Sequence, residues 1–374
     1  MIQPFRIHIA DAVLDDLRAR LGRTRWPDFI EAGGWQHGVS SAYMQDLIAH
    51  WAHDFDWREQ EARMNAYPHF IAEIEGHTIH FMHIRAKGQQ AIPLLITHGW
   101  PGSFLEMLDI IPLLTAENGL CFDLVIPSLP GFGFSKEVPQ EGMNTARIGG
   151  LWAQLMEELG YEQYLVQGGD LGAEISTQLA LQQPERVLGL HLNYIPFTYR
   201  PYLPPGASLT EAEQAALKKT AAFFKQAGAY AQVHITQPLT LAYGLSDSPA
   251  GLAAWMLQIF KNFSDPRKEL SQLFERDALL ANITLYWVTG TIHSSMRLYS
   301  AAQPLVLGKD QFVRVPVGVA HYPYPESFPA SEYVSRGYNL QYWEEMPAGG
   351  HFAAMEQPGL FAADVRAFAE QVVP

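Results

Sequence analysis

The chain has 374 residues, of which 48% are hydrophobic and 12% aromatic, enough for one large core with room for an insertion. A formal charge of −14 argues against nucleic acid or an anionic membrane surface as partner. The single cysteine, Cys121, excludes an internal disulfide and a cysteine-rich metal site. It precedes the apolar run Phe122 to Ile126, so a buried thiol is expected. The first residues lack a basic segment followed by an apolar run, and no stretch of about 18 apolar residues occurs anywhere. A cytoplasmic, soluble protein is the expectation.

Residues 1–70 are rich in Trp, Pro and charge and predict an arm that wraps a domain. Val13, Leu14, Leu17 and Leu21 recur at helical spacing, predicting a helix over 11–21. A second is predicted over 41–51, with Tyr43, Leu47, Ile48 and Trp51 on one side. From residue 71 the pattern changes. Segments 71–76 and 78–84 read as paired strands around a Gly turn. Strands follow at 92–96, 122–126, 164–167 and 187–192. Helices are expected from Ser103, over 145–159 and over 171–182. This alternation implies a mostly parallel sheet with helices on both faces.

The alternation stops over 196–304, where helical runs and Pro- and Tyr-rich connections take over, with an N-cap signal at Ser248-Pro249. It returns with strands at 312–319 and 338–343 and a helix at 360–372. The chain is therefore read as an N-terminal arm (1–70), a first core part (71–195), a helical insertion (196–304) and a second core part (305–374).

The most telling segment is Gly168-Gly169-Asp170-Leu171-Gly172, between a predicted strand and a predicted helix. It has the form of the nucleophile elbow of α/β-hydrolases, a sharp turn that holds up one reactive side chain, usually Ser. Asp there changes the chemistry. Alkylating a hydroxyl gives an ether that water does not readily cleave. Alkylating a carboxylate gives an ester that water attacks at the carbonyl. An Asp elbow thus points to substrates attacked at saturated carbon, such as epoxides or alkyl halides.

The remaining parts should follow in the order nucleophile, acid, histidine. Gly349-Gly350-His351 lies between the last strand and the last helix, which makes His351 the candidate base. The acid should follow strand 312–319; Glu326 is preferred and Glu332 is the reserve. Asn193, at the other position where such folds carry an acid, supplies no charge. The oxyanion hole should use two backbone N–H groups, those of Leu171 and of Trp100 in His98-Gly99-Trp100-Pro101. Trp100-Pro101 is a candidate cis bond, and His98 is read as structural. His77, His80 and His83 cluster on a predicted hairpin with no matching acids or cysteines, so structural or surface roles are assigned.

Four segments together carry a resemblance: His-Gly-Trp-Pro-Gly-Ser-Phe (98–104), Gly-Gly-Asp (168–170), Leu-Ser-Asp-Ser-Pro-Ala-Gly-Leu-Ala-Ala-Trp (245–255) and Gly-Gly-His-Phe-Ala-Ala-Met-Glu (349–356). With Pro4-Phe5 and Thr24-Arg25-Trp26-Pro27 in the arm, nearly the whole chain resembles the microsomal-type epoxide hydrolases, in their soluble, bacterial-type branch. The resemblance implies a helical cap with two tyrosines that hydrogen-bond the epoxide oxygen. The surroundings of Tyr230 and Tyr299 match those two. Two departures stand out. Leu171 replaces a Trp common after the nucleophile, and Tyr322-Pro-Tyr-Pro-Glu326 is one residue longer than the usual segment before the acid.

The expected activity is hydrolysis of an apolar epoxide to a vicinal diol, with no metal or organic cofactor. Small epoxide and water are the expected partners; oligomeric state is left open, a homodimer included. A haloalkane-type dehalogenase is the nearest rival, disfavoured by Leu171 and the paired tyrosines. A non-catalytic ligand-binding α/β-hydrolase is the other. Trp100, Phe132, Trp255 and Phe263 are the aromatics that suggest apolar substrates, with core packing as the alternative for each.

Overall fold

The computed structural model describes residues 1–28, 34–87, 91–116, 119–136, 142–325 and 328–373. Nine strands form one sheet: β1 (Ile2–Phe5), β2 (His69–Ile74), β3 (His77–Ile84), β4 (Ile92–Thr97), β5 (Phe122–Pro127), β6 (Tyr164–Gly168), β7 (Val187–Leu192), β8 (Val313–His321) and β9 (Tyr338–Glu345). Their order is β1-β2-β3-β5-β4-β6-β7-β8-β9. The first three strands and β5 pair antiparallel; β5, β4, β6, β7, β8 and β9 run parallel. β4 and β5 are buried almost throughout, as strands covered on both faces must be. Strand β1 was not foreseen. It is short, contains Pro4 and lies at the sheet edge, where a missing N–H is tolerated.

The arm holds α1 (Asp11–Leu21), α2 (Ser41–His53) and an unforeseen α3 (Trp57–Met64). Asp56 caps α3 through its carboxylate, and Trp57 and Met64 are buried. On α1 the buried side is Leu14, Leu17 and Leu21, while Val13, expected with them, is exposed. The arm has no separate core: its buried residues join one continuous cluster with those of the sheet and the helical block. The Trp51 indole donates to Thr284 Oγ1 of that block at 2.9 Å.

After β4 the helix expected from Ser103 is a 3-10 turn, Phe104–Met107, followed by the short α4 (Ile111–Thr115) with Pro112 in its first turn. α5 (Thr145–Glu158) and α6 (Leu171–Gln182) follow as expected. Between β7 and β8 lie α7 (Glu211–Ala227), α8 (Ala229–Thr236), α9 (Pro238–Asp247), α10 (Pro249–Asn262), α11 (Leu270–Leu273), α12 (Arg276–Thr289) and α13 (Ile292–Ala301). Ser248 caps α10 by accepting from Gly251 N at 3.0 Å, with Pro249 first in the helix. The chain closes with α14 (Ser331–Ser335), β9, α15 (Ala353–Glu356) and α16 (Pro358–Val372).

Thr97 and Gly168 are register partners at the C-terminal ends of β4 and β6, where the strand order reverses direction. Ligands of open parallel sheets bind at that kind of crevice. The helical block lies over it.

Candidate active site

Asp170 sits between β6 and α6 with φ 51° and ψ −125°, outside the conformations an L-residue prefers. Such strain costs about 1–3 kcal/mol and persists only where surroundings enforce it. The enforcement is close backbone packing. A Cβ at Gly172 would lie 2.0 Å from the Thr97 carbonyl oxygen, and one at Gly168 would lie 2.2 Å from that of Gly172. Asp at a helix N-cap ordinarily accepts from the first-turn N–H groups. Asp170 makes no such bond. Its carboxylate turns instead toward two other segments.

Oδ1 accepts from the Trp100 backbone N–H at 2.8 Å, and Oδ2 lies 3.2 Å from His351 Nε2. Leu171 is the first residue of α6, so its N–H has no acceptor within the helix. The Trp100 loop is pinned from the helical block. Asn282 Nδ2 donates to the Pro101 carbonyl at 2.7 Å, and the Tyr286 hydroxyl donates to that of Gly102 at 2.8 Å. The Trp100-Pro101 bond is cis. His98 is buried at the loop's start; Leu129 N donates to its Nε2 at 3.3 Å, and its Nδ1 lies 3.0 Å from Gly99 O. Burial pushes its pKa down to about 4, which keeps the ring neutral and fits the structural role expected of it.

His351 is held by its backbone, which donates to Phe263 O at 3.1 Å, and by the rings of Tyr194, Phe263 and Phe352 around it. Gly349, before it, takes φ 109°. Glu356, a residue of the quoted segment given no role from sequence, accepts from the Phe352 N–H at 3.1 Å and so braces the same loop. Burial pushes its carboxyl up to about 7.

Tyr230, on α8, and Tyr299, on α13, face each other across the other side of the site, ring centroids 6.1 Å apart. The Trp100 indole stacks on Tyr230 at 5.5 Å and meets Tyr299 edge-on at 6.1 Å. Burial raises both phenols well above their ordinary value, Tyr299 further through Tyr230 and both through the Asp170 charge. They stay protonated donors at neutral pH. His234, one turn after Tyr230, packs against Trp100, Tyr230 and Tyr299 and accepts from the Trp255 indole at 3.0 Å. Burial lowers its pKa to about 3, so it fills the space behind the phenols as a neutral ring. Its spacing from Tyr230 was the available sequence signal.

Several expectations need correction or qualification. Glu326 lies outside the described residues. Glu332 is exposed on α14, where it accepts from Ser331, and is not brought to the site. Phe132 is in the core against His98 and Tyr286, the alternative left open for it, and Trp255 reaches the phenols through His234. Asn193 Oδ1 accepts from Gln167 Nε2 at 2.8 Å. Of the hairpin histidines, His80 is buried between Ser128 and His69 at 2.9 Å each, and His83 meets the Tyr161 hydroxyl at 2.9 Å.

Residues 2–107 match the family described as Epoxide hydrolase N terminus, and residues 92–272 match the alpha/beta hydrolase fold. Epoxide hydrolase 1 of Sus scrofa is 36% identical over 98% of this chain and 88% of its own. The chain belongs to the epoxide hydrolase family. Two solved structures of that family superpose over 100% of the chain at 32% identity and a TM-score of 0.87 each. They are the juvenile hormone epoxide hydrolase of the silkworm Bombyx mori, covered to 94%, and the epoxide hydrolase of Aspergillus niger, covered to 97%. In this epoxide hydrolase family member Asp170, Trp100, Tyr230 and Tyr299 lie together. No helix among the described residues is long and apolar enough to cross a membrane.

Proposed function

We propose that this protein hydrolyses apolar epoxides to vicinal diols through a covalent ester on Asp170. The observation that carries the reading is the opposition of a carboxylate and a pair of hydrogen-bond donors. A carboxylate with one oxygen on the Trp100 N–H and the other beside His351 faces a pair of protonated phenols. An epoxide placed between them is attacked at carbon from one side and receives hydrogen bonds at oxygen from the other. Trp100, Phe263 and Tyr194 supply an apolar, aromatic lining.

In the first step an Asp170 oxygen bonds to an epoxide carbon, the C–O bond of the ring breaks, and the alkoxide takes a proton from the phenol pair. In the second, His351 removes a proton from water, which attacks the ester carbonyl. The oxyanion rests on the N–H groups of Trp100 and Leu171. The intermediate collapses, the alkyl oxygen leaves with the proton from His351, and the acid proton left on Asp170 returns to the phenol pair, which restores both the carboxylate and the phenols. We assign Glu326 as the acid that orients His351, and residues 196–304 as the cap over a core of 71–195 and 305–374, with 1–70 as the arm.

One turnover in heavy-oxygen water tests this. The first diol should carry an unlabelled oxygen from Asp170, with the label retained on the protein; label in the first diol would mean direct attack by water. The His351→Gln variant should consume one equivalent of epoxide, release no diol and retain an alkyl adduct on the Asp170 peptide, read by mass spectrometry.

A further inference from the structure

His234 carries a buried N–H for which no described residue supplies an acceptor. It lies on α8, one turn after Tyr230, and its side chain is fully buried. The Trp255 indole N–H donates to Nε2 at 3.0 Å. An indole can only donate, so it pairs with a nitrogen that holds no proton. A neutral imidazole has one N–H, and here Nδ1 must carry it. Nδ1 is buried with no hydrogen-bond partner among the described residues. The two ring nitrogens point to roughly opposite sides of the ring. Trp255 takes one side, and the rings of Trp100 at 4.5 Å, Tyr299 at 5.0 Å and Tyr230 at 5.5 Å pack around the rest. An unmet buried donor is destabilising and rare in native proteins. An apolar side chain would fill the same space without that cost.

We infer that the His234 Nδ1–H is held for the negative charge that develops on the Tyr230–Tyr299 pair as it protonates the opening epoxide. The inference rests on the covalent reading above. An Asp170 oxygen bonds to carbon, the ring C–O bond breaks, and a phenol proton moves to the alkoxide. The phenol that gave the proton becomes a phenolate, and the acceptor missing at rest is then present beside His234. Nδ1–H donates to it. His234 exchanges no atom and acts through the phenols. A donor placed for charge that exists only as the reaction proceeds lowers the barrier without tightening ground-state binding.

Charge supports the geometry. Burial, then the Tyr230 phenol for Tyr299, and the Asp170 charge for both, hold the two phenols well above their ordinary value. That keeps them protonated at rest and also makes them reluctant to give a proton away. Alkylation removes the Asp170 charge, and a donor at the phenolate offsets part of the burial penalty. Burial keeps the His234 ring neutral, at about 3, so it offers this hydrogen bond without adding a cation to the resting site.

His234→Leu removes the donor and keeps an apolar filling. Stopped-flow single turnovers with a terminal alkyl epoxide should show ester formation slowed roughly tenfold or more, and ester hydrolysis within about threefold of wild type. His234→Gln, whose amide N–H donates, should recover most of that loss. The loss should shrink for an epoxide with a trifluoromethyl group on the ring, whose alkoxide is less basic and asks less of the phenols. A packing defect would slow both substrates alike. Trp255→Phe, at a half-buried position, leaves His234 in place and frees Nε2 to take the proton; it should slow ester formation by about threefold. Ester formation at the wild-type rate in His234→Leu or in Trp255→Phe overturns the inference. Equal loss with the two epoxides, or no recovery in His234→Gln, overturns it as well. No adduct on Asp170 in His351→Gln overturns the covalent reading itself, which keeps the two failures distinct.

Discussion

The two sides of the site are built by different means. On the carboxylate side, backbone does the placing: a residue at positive φ, glycines that let two chain segments touch, and a peptide N–H at 2.8 Å. On the phenol side, side chains do it. Tyr230 and Tyr299 come from separate helices and are set by the rings of Trp100 and His234. Backbone placement is stiff and local, so it suits the carboxylate proposed to form a bond. Ring packing tolerates small displacement, which a hydrogen bond to a departing oxygen can absorb. Trp100 belongs to both, through its N–H on one side and its indole on the other.

The comparison can be broken most sharply at its centre. Asp170→Ala should lower turnover by roughly 10⁴-fold or more, since the bond-forming atom itself is gone, with the melting temperature little changed. Retained turnover would show that the elbow is a turn and no more. Gly172→Ala tests backbone placement directly. Its Cβ meets the Thr97 carbonyl, an atom that cannot rotate away, so a loss of about 3 kcal/mol or more in denaturant unfolding is expected.

Glu356→Gln probes the brace of the His351 loop through pH. The Glu356 carboxyl titrates near 7 in the folded protein against 4.5 for the free group. Between those values the folded state binds the extra proton, so wild-type stability falls as pH rises from about 4.5 past 7. Against Glu356→Gln, wild type should lose up to about 3 kcal/mol between pH 5 and 8, by chemical denaturation at each pH. Parallel curves would mean that the carboxyl is ionised in the fold.

The smallest effects belong to the phenol side. Tyr230→Phe and Tyr299→Phe should each slow ester formation roughly 10- to 100-fold, leaving ester hydrolysis unchanged. A variant that slowed both steps alike would erase the distinction between the two sides.

Much of this was readable from the chain, and the exceptions share a cause. Strands and helices of the core declared themselves by period, turn and cap, and the elbow by its glycines. The 3-10 turn at Phe104–Met107 escaped because Pro112 and a short span leave no periodicity. Strand β1 escaped because a four-residue edge strand containing Pro4 has almost none. Tyr194 and His234 carried no motif of their own: each matters through what lies beside it in space.

The order of residues alone settled an Asp at the elbow, a His on the last loop and a helical block between strands, because these are patterns of neighbours along the chain. Folding decided the rest. It brought Trp100 within reach of Asp170, put two phenols from separate helices against one indole, and left Glu332 in solvent. Those outcomes depend on packing between segments tens to hundreds of residues apart, and no local pattern encodes the distance between them.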